Sequence, residues 1–487
     1  MTAVDRAVDR ALAAGAFAAL VGMALALPPR PFGDAPEYLL MAESWAAHGS
    51  PALRPGDVDA LRRHAAVAGL AVDPDDALGN YFEGRDGRFY CYHFSFYPLL
   101  TLPARVALGA VGGDVLRAGP LTNAIALGSA LGAVLLLAPA GAWARRAAAA
   151  LLLSSPVLGF LLWPHPEVLS FAMATLALVA GSRGASGVAT LCAAVASVQN
   201  PPLALLAVFE AVRPTLARTA LPEPRGRAWA LVLAALLAIA SPVFFLAEFS
   251  TPNLAAYETA GAHAMGIGKA ASLMLDPELG LVRYAPLTVG LLAAVVVMAA
   301  RRAAWRVEGA LVVVLALMML LSSATGNWNH GTTGPSRYVV WMFPVVAYLL
   351  ALGPTATDLL LPPRRAWAVL LAAAVAAQVA VAAARGGVQS PLDYLQHSTM
   401  ARALLDRWPA AYDPAFEVFR ERTAHTEADL DGPFLHERDG QCRKALARWK
   451  HADTLRARCG PIPEGVRPLF ESRPPKEEKS RWIYVDY

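Results

Sequence analysis

The hexapeptide Gly33-Asp34-Ala35-Pro36-Glu37-Tyr38 sets two carboxyls three residues apart, directly after a long apolar run. Other loops of the chain carry His93, His165, Glu167, Lys269, His330 and Arg337. Carboxylates near imidazoles and fixed cations suit proton abstraction from a hydroxyl nucleophile, with the cations neutralising an anionic leaving group. The same spacing has a structural use. Asp34 as N-cap, Pro36 in the first turn and Glu37 in a capping box would start a short helix at the membrane surface. Tyr38, Met41 and Trp45 would share its apolar face. A capped helix also holds a carboxylate rigidly, so the two uses are compatible.

The elements that position these groups follow from composition. A chain of 487 residues that is 56% hydrophobic and 16% charged, with mean hydropathy +0.42, is a polytopic membrane protein. Its net charge of +4 follows from Arg-rich cytoplasmic loops as readily as from an anionic partner. Apolar runs near the bilayer-spanning length number about eleven. They cover Ala11 to Leu27, Leu121 to Trp143, Ala147 to Trp163, Val168 to Gly181, Val188 to Gln199, Leu203 to Val212, Trp229 to Phe249, Leu287 to Ala300, Val307 to Ser323, Tyr338 to Leu352 and Ala366 to Ala384. The first run is read as a retained anchor rather than a cleaved signal ending near Ala24-Leu25-Ala26, because more spans follow.

Arginines alternate between the loops. Arg6, Arg10, Arg145, Arg146, Arg183, the stretch from Arg213 to Arg227, Arg301 to Arg306, Arg364 and Arg365 define one side. The loops Pro164 to Glu167, Gln199 to Pro202, Ser250 to Pro286 and Ala324 to Arg337 are nearly free of Arg and define the other. The Arg-rich side is cytoplasmic. The amino terminus is then inside, and the polar tail from Arg385 to Tyr487 outside, where Cys442 and Cys459 can pair. Cys91 and Cys192 read as unpaired, and Pro474 to Ser480 as a solvated end. The span interiors hold almost no ionisable groups, which argues against an ion transporter and places the chemistry on the outer face. No nucleic-acid motif is present.

Each outer residue has two readings. Phe89 to Pro98 is dense in aromatics, either an interfacial belt or a sugar-stacking wall with Tyr92 and His93 as polar contacts. His165 and Glu167, flanked by prolines, either favour the next helix dipole or add an imidazole and a second acid. Lys269, in Gly266-Ile267-Gly268-Lys269, lacks phosphate-loop spacing but suits a point charge on a lipid phosphate, or a solvated loop. Arg337, at the head of a span, snorkels or grips a phosphate with two parallel hydrogen bonds.

Taken together, Gly33 to Tyr38 after the first span, His165-Pro166-Glu167 in the second outer loop and Gly334-Pro335-Ser336-Arg337-Tyr338 late in the bundle resemble the GT-C glycosyltransferases. The bacterial branch related to protein O-mannosyltransferases and lipid A aminoarabinose transferases is the most similar. The resemblance implies an all-α polytopic bundle of about eleven transmembrane helices over residues 1–384. Its first outer loop, 28–97, would carry amphipathic helices, with further outer loops at 250–286 and 324–337 and a small extracytoplasmic domain at 385–487. It implies Asp34 as catalytic base and Glu167 as second acid, with Lys269 and Arg337 on the donor phosphate. Glu37, Tyr92, His93 and His165 would contact sugar or acceptor. The donor would be a polyprenyl-phosphate sugar, used with inversion and without metal or cofactor. The acceptor would be a glycan, lipid or protein at the outer face of a bacterial inner membrane. Many relatives carry an aspartate in the second outer loop where this chain has His165 and Glu167, and the chain lacks their tetratricopeptide or carbohydrate-binding tails. A non-catalytic flippase or assembly scaffold for lipid-linked saccharides is the alternative, and a hydrolase of the same donors would use the same residues.

Overall fold

A computed structural model describes residues 2–218, 226–254, 265–301, 306–329, 334–354, 356, 364–471 and 481–487. His330 and the Pro474–Ser480 end lie outside the described residues, as do the side chains of Arg364 and Arg365. The chain is mostly helical. Among the described residues four helices are long and apolar enough to cross a membrane: Ala3–Ala26, Val115–Leu137, Arg227–Phe249 and Ala366–Ala384. Shorter apolar helices, Glu167–Ser182, Ser186–Gln199, Pro286–Ala300 and Arg337–Leu352, pack among them.

Two prolines break what hydropathy joins. The apolar run into Trp143 ends as a helix at Leu137, because Ala138 is pushed into extended backbone ahead of Pro139. The run from Ala147 to Trp163 is a helix only to Leu153. Pro156 cannot donate to the helix ladder, and Ser155 caps a short 3₁₀ turn, Pro156–Phe160, instead. The residues after that turn form an irregular loop, and this lets Trp163 stack against His165, which lines the site.

Burial identifies the centre of the bundle. In the Arg337–Ala347 helix Val339, Val340, Trp341, Met342 and Phe343 are all buried, so this helix is enclosed on every side. The Arg227–Phe249 helix is the opposite case. Trp229, Val232, Leu236, Ile239 and Val243 are exposed along it, an apolar surface that a lipid chain would cover. The first helix approaches the Ala118–Leu137 helix closely at Gly128, where an added Cβ would come within 2.6 Å of Phe17.

Residues 35–110, which include most of the expected first outer loop, fold as a small layer of their own. Helices Ala35–His48, Pro55–Ala68 and Phe96–Ala110 surround a two-stranded antiparallel hairpin, Tyr81–Glu83 with Phe89–Cys91. Asp57 ties two of the helices by accepting from the Ser44 hydroxyl (2.8 Å) and the Arg54 amide (2.9 Å), with His48 Nε2 at 3.0 Å. The tail adds a three-stranded antiparallel sheet, Phe434–Arg438, Gln441–Ala447 and Ile483–Asp486 in that order, covered by short helices. Both sheets depart from an all-helical reading, although helices dominate.

Cys442 on the central strand and Cys459 at the end of the Ala452–Cys459 helix form a disulfide across a sequence separation of 17. A closed loop of that length stabilises a fold by about 3 kcal/mol. Cys442→Ala is expected to lower the stability of the tail by that order and to expose it to protease, while the helical part resists. Limited proteolysis with mass spectrometry reads both, and equal cleavage of wild type and variant would refute the expectation.

Candidate active site

Gly33 adopts φ 54°, a left-handed turn that favours glycine, and it swings the chain from the first helix into the next. Asp34 is the N-cap of the Ala35–His48 helix, with proline in its first turn. The expected capping box is absent. Asp34 makes no side-chain hydrogen bond to the helix amides, because its carboxylate is drawn to a stronger partner, the Arg337 guanidinium, 303 positions further along the chain. Glu37 turns away as well: Asn80 donates to its Oε1 at 2.6 Å.

A second loop reaches the same place. Asn123 donates to the carbonyl of Trp163 at 2.9 Å, and Trp163 Nε1 donates to the carbonyl of Phe32 at 2.8 Å. Phe32 stacks on Trp163, and Trp163 stacks on His165 with ring centres 3.6 Å apart and planes 4° from parallel. This column pins His165 beside Asp34, with His165 Nε2 3.7 Å from Asp34 Oδ2 and Nδ1 3.5 Å from Glu167 Oε1. His93 stands on the other side, Nε2 3.4 Å from the same Oδ2, stacked against Tyr38.

These groups line a cavity of about 360 Å³ with Tyr92, Asn200, Tyr338 and Trp341. Around it, His93 Nε2, both ring nitrogens of His165, Glu167 Oε2 and Trp341 Nε1 are buried and make no hydrogen bond among the described residues. Buried polar atoms ordinarily find partners, and each one left without costs about 1–3 kcal/mol. Their concentration around one cavity is the mark of a site for a polar ligand.

Electrostatics separate the two carboxyls of the hexapeptide. Burial would raise the Asp34 carboxyl, but Arg337, then His93 and His165, outweigh it and hold the group well below the ordinary aspartate value. Glu37 has no guanidinium beside it, and the opposing pull of His93 is the smaller effect. Burial, followed by the negative charge of Asp34, pushes it up to about 7. Burial pushes His165 down to about 3, so it is a neutral imidazole at physiological pH.

Asp34, Tyr92, His93, His165, Glu167 and Arg337 are thus brought together, and two expected residues are not. Glu37 lies behind Asp34, occupied by Asn80, and it does not line the cavity. Lys269 is also outside the lining. Its ammonium donates to the Thr325 carbonyl and sits 4.7 Å from the Trp328 ring centre, so it holds a wall of the cavity rather than facing into it. Gln199, Asn200, Asn327 and Trp341 have no assigned role in the sequence reading, and Tyr338 enters it only as the last residue of the Gly334–Tyr338 motif. Gln199 bridges three parts of the site, donating to Tyr38 Oη and the Phe94 carbonyl at 3.0 Å each and accepting from the Tyr97 amide at 3.1 Å. The one available signal was an amide pair, Gln199-Asn200, ending a span just before two prolines.

Compared with family models, with curated proteins and with solved structures, the chain matches none of them.

Glu37 gives the site a measurable pH dependence. Its folded value near 7 lies above the ordinary 4.5, so the folded protein keeps a proton that the unfolded chain releases. The associated stability is complete below pH 4.5 and is lost as pH rises toward 7, by at most about 3 kcal/mol. Asp34 acts in the other direction, losing its stabilisation as pH falls below 3.8. Thermal melts of wild type and Glu37→Gln in nanodiscs are expected to converge near pH 4.5, with wild type falling relative to the variant by pH 7.5. Parallel melting curves over that range would refute the assignment.

Proposed function

We propose that the protein is a membrane glycosyltransferase of GT-C type that moves a sugar from a polyprenyl-phosphate carrier to an acceptor hydroxyl, with inversion. It would work at the outer face of a bacterial inner membrane, within a bundle of about eleven spans, short helices included. Its amino terminus would be cytoplasmic and its disulfide-bonded tail extracytoplasmic. The observation that carries this reading is the pairing of Asp34 with Arg337 on the wall of a cavity lined by buried imidazole, carboxyl and indole groups. The chain offers a base and a fixed cation within one ligand-sized space, beside helices whose apolar faces suit lipid.

The acceptor oxygen attacks the anomeric carbon as the bond from that carbon to the phosphate oxygen breaks. Asp34 takes the hydroxyl proton, and the polyprenyl phosphate leaves with the bonding electrons. Arg337 neutralises the charge that develops on the phosphate. Arg337, His93 and His165 all approach Asp34 through Oδ2, which leaves Oδ1 for the proton. The neutral His165 and the Glu167 carboxyl supply hydrogen bonds to sugar hydroxyls, and Tyr92 supplies an aromatic face. Lys269 contributes only through the wall it supports. The acceptor would be a glycan, a lipid or a protein.

Transfer of radiolabelled sugar from a panel of polyprenyl-phosphate donors, by purified protein in lipid nanodiscs, tests this. Asp34→Asn keeps the shape and removes the base, and it is expected to lower turnover by about 10²–10⁴-fold. Label released into water rather than to an acceptor would make the enzyme a hydrolase. Donor binding without turnover, together with flipping in liposomes that persists in Asp34→Asn, would replace the reading with a flippase or scaffold.

A further inference from the structure

On the glycosyltransferase reading Arg337 serves the donor phosphate, yet its guanidinium is already engaged by the Asp34 carboxylate. A carboxylate held by a guanidinium is a poor base, since the cation that stabilises its charge also lowers its proton affinity. Two anions beside one cation in a low-dielectric cavity also repel each other strongly. Either the base or the phosphate must give way.

We propose, resting on that reading, that the Asp34 carboxylate and the donor phosphodiester are alternative partners of Arg337, so that donor binding releases Asp34 to act as base. Three features of the site fit an exchange. The first is that the backbone under Arg337 is fixed. Its helix is enclosed on every side and the preceding Ser336 amide donates to the Leu279 carbonyl at 2.8 Å, so exchange requires only side-chain movement. The second is that a released Asp34 has other partners at hand. His93 Nε2 and His165 Nε2 stand 3.4 and 3.7 Å from Oδ2, and neither makes a hydrogen bond among the described residues. Small shifts would let them take over the carboxylate while leaving it more basic than a guanidinium does.

The third is a further donor for the phosphate. Trp341 lies four residues after Arg337, on the same helix face, and it lines the same cavity. Its indole Nε1 is buried and makes no hydrogen bond among the described residues. Arg337 and Trp341 together offer a fork and a single N–H to the non-bridging oxygens of a diester, a pairing that Asp34 alone does not complete. The consequence for the reaction is order. The base is masked until the donor phosphate has arrived, so an acceptor entering first is not deprotonated.

A double-mutant cycle on binding tests the exchange without requiring turnover. The probe is a short-chain prenyl methyl phosphodiester, titrated calorimetrically into wild type, Asp34→Asn, Arg337→Gln and the double variant in nanodiscs. Asp34→Asn is expected to bind at least about tenfold tighter than wild type, because Arg337 no longer has to leave a carboxylate. Arg337→Gln is expected to lose the affinity, and Asp34→Asn added to it to restore less than about twofold. The double variant guards against simple charge repulsion, which would tighten binding in both backgrounds and would overturn the exchange. Equal or weaker binding by Asp34→Asn than by wild type would overturn it as well. If no variant binds the diester, wild type included, the lipid-phosphate reading fails and takes the exchange with it. Equal binding by wild type and Asp34→Asn sinks the exchange alone.

Discussion

A carboxylate from the turn after the first helix and a guanidinium from the head of a late helix meet inside the protein, and the geometry around them follows from keeping that pair in place. Bringing two charges out of water is expensive unless each is paired and further hydrogen-bonded. The fold supplies the pairing through a chain of contacts. Gly33 turns the loop, the Phe32–Trp163–His165 column fixes one flank, and Tyr38 with His93 fixes the other. Gln199 then ties Tyr38 to the backbone at Phe94 and Tyr97. The centrally buried helix that carries Arg337 makes this arrangement rigid from below.

Other buried ion pairs in the chain show what a purely structural one looks like. Asp9 is held by both Arg145 and Arg146. Glu278 accepts from the Ser398 amide at 2.8 Å and from Arg422 at 3.1 Å, with His397 Nδ1 at 2.5 Å. In both, the charge is saturated by its neighbours. Around Asp34 and Arg337, by contrast, the neighbouring imidazoles, the Glu167 carboxyl and the Trp341 indole are buried yet incompletely bonded. Burial alone does not separate a site from a staple. The degree to which neighbouring polar atoms are satisfied does: among the described residues five buried polar atoms that make no hydrogen bond surround Asp34 and Arg337, against a single nitrogen, Arg145 Nε, beside Asp9.

Hydropathy located most helices of the bundle to within a few residues, since an apolar stretch is a local property of the chain. The Arg227–Phe249 and Arg337–Leu352 helices were both legible in this way. The main exceptions have local causes too, at Pro139, which pushes Ala138 into extended backbone, and at Pro156, whose missing N–H ends a helix that composition alone would continue. The site was legible as a set of residue types and much less as a set of roles. Asp34 and Glu37 looked like one capping box, but a guanidinium 303 residues distant competes for the first and Asn80 for the second, and neither competition has a sequence signature. Gln199 has no such signature either, because an amide at the end of a span is ordinary, and only the fold shows it joining Tyr38, Phe94 and Tyr97.

Lys269 shows why a residue chosen for its charge can serve by position instead. The wall it supports, Thr325 to Asn329, is also held from the tail. Glu417 accepts the Trp328 and Asn329 amides, at 2.8 Å and 3.1 Å, while the Asn329 side chain donates to Glu421 and accepts from Arg422. Part of the cavity wall is therefore shaped by a segment that lies more than eighty positions further along the chain and belongs to the tail. An isolated loop of this composition, rich in Gly, Asn and Thr, has little of its own to order it. The ordering is supplied by the half-buried Glu417 and buried Glu421 of the Phe416–Ala424 helix, and the cavity depends on the tail for its form. The tail is then part of the architecture of the candidate site rather than an appendage, which follows from where its carboxylates point and not from any motif within it.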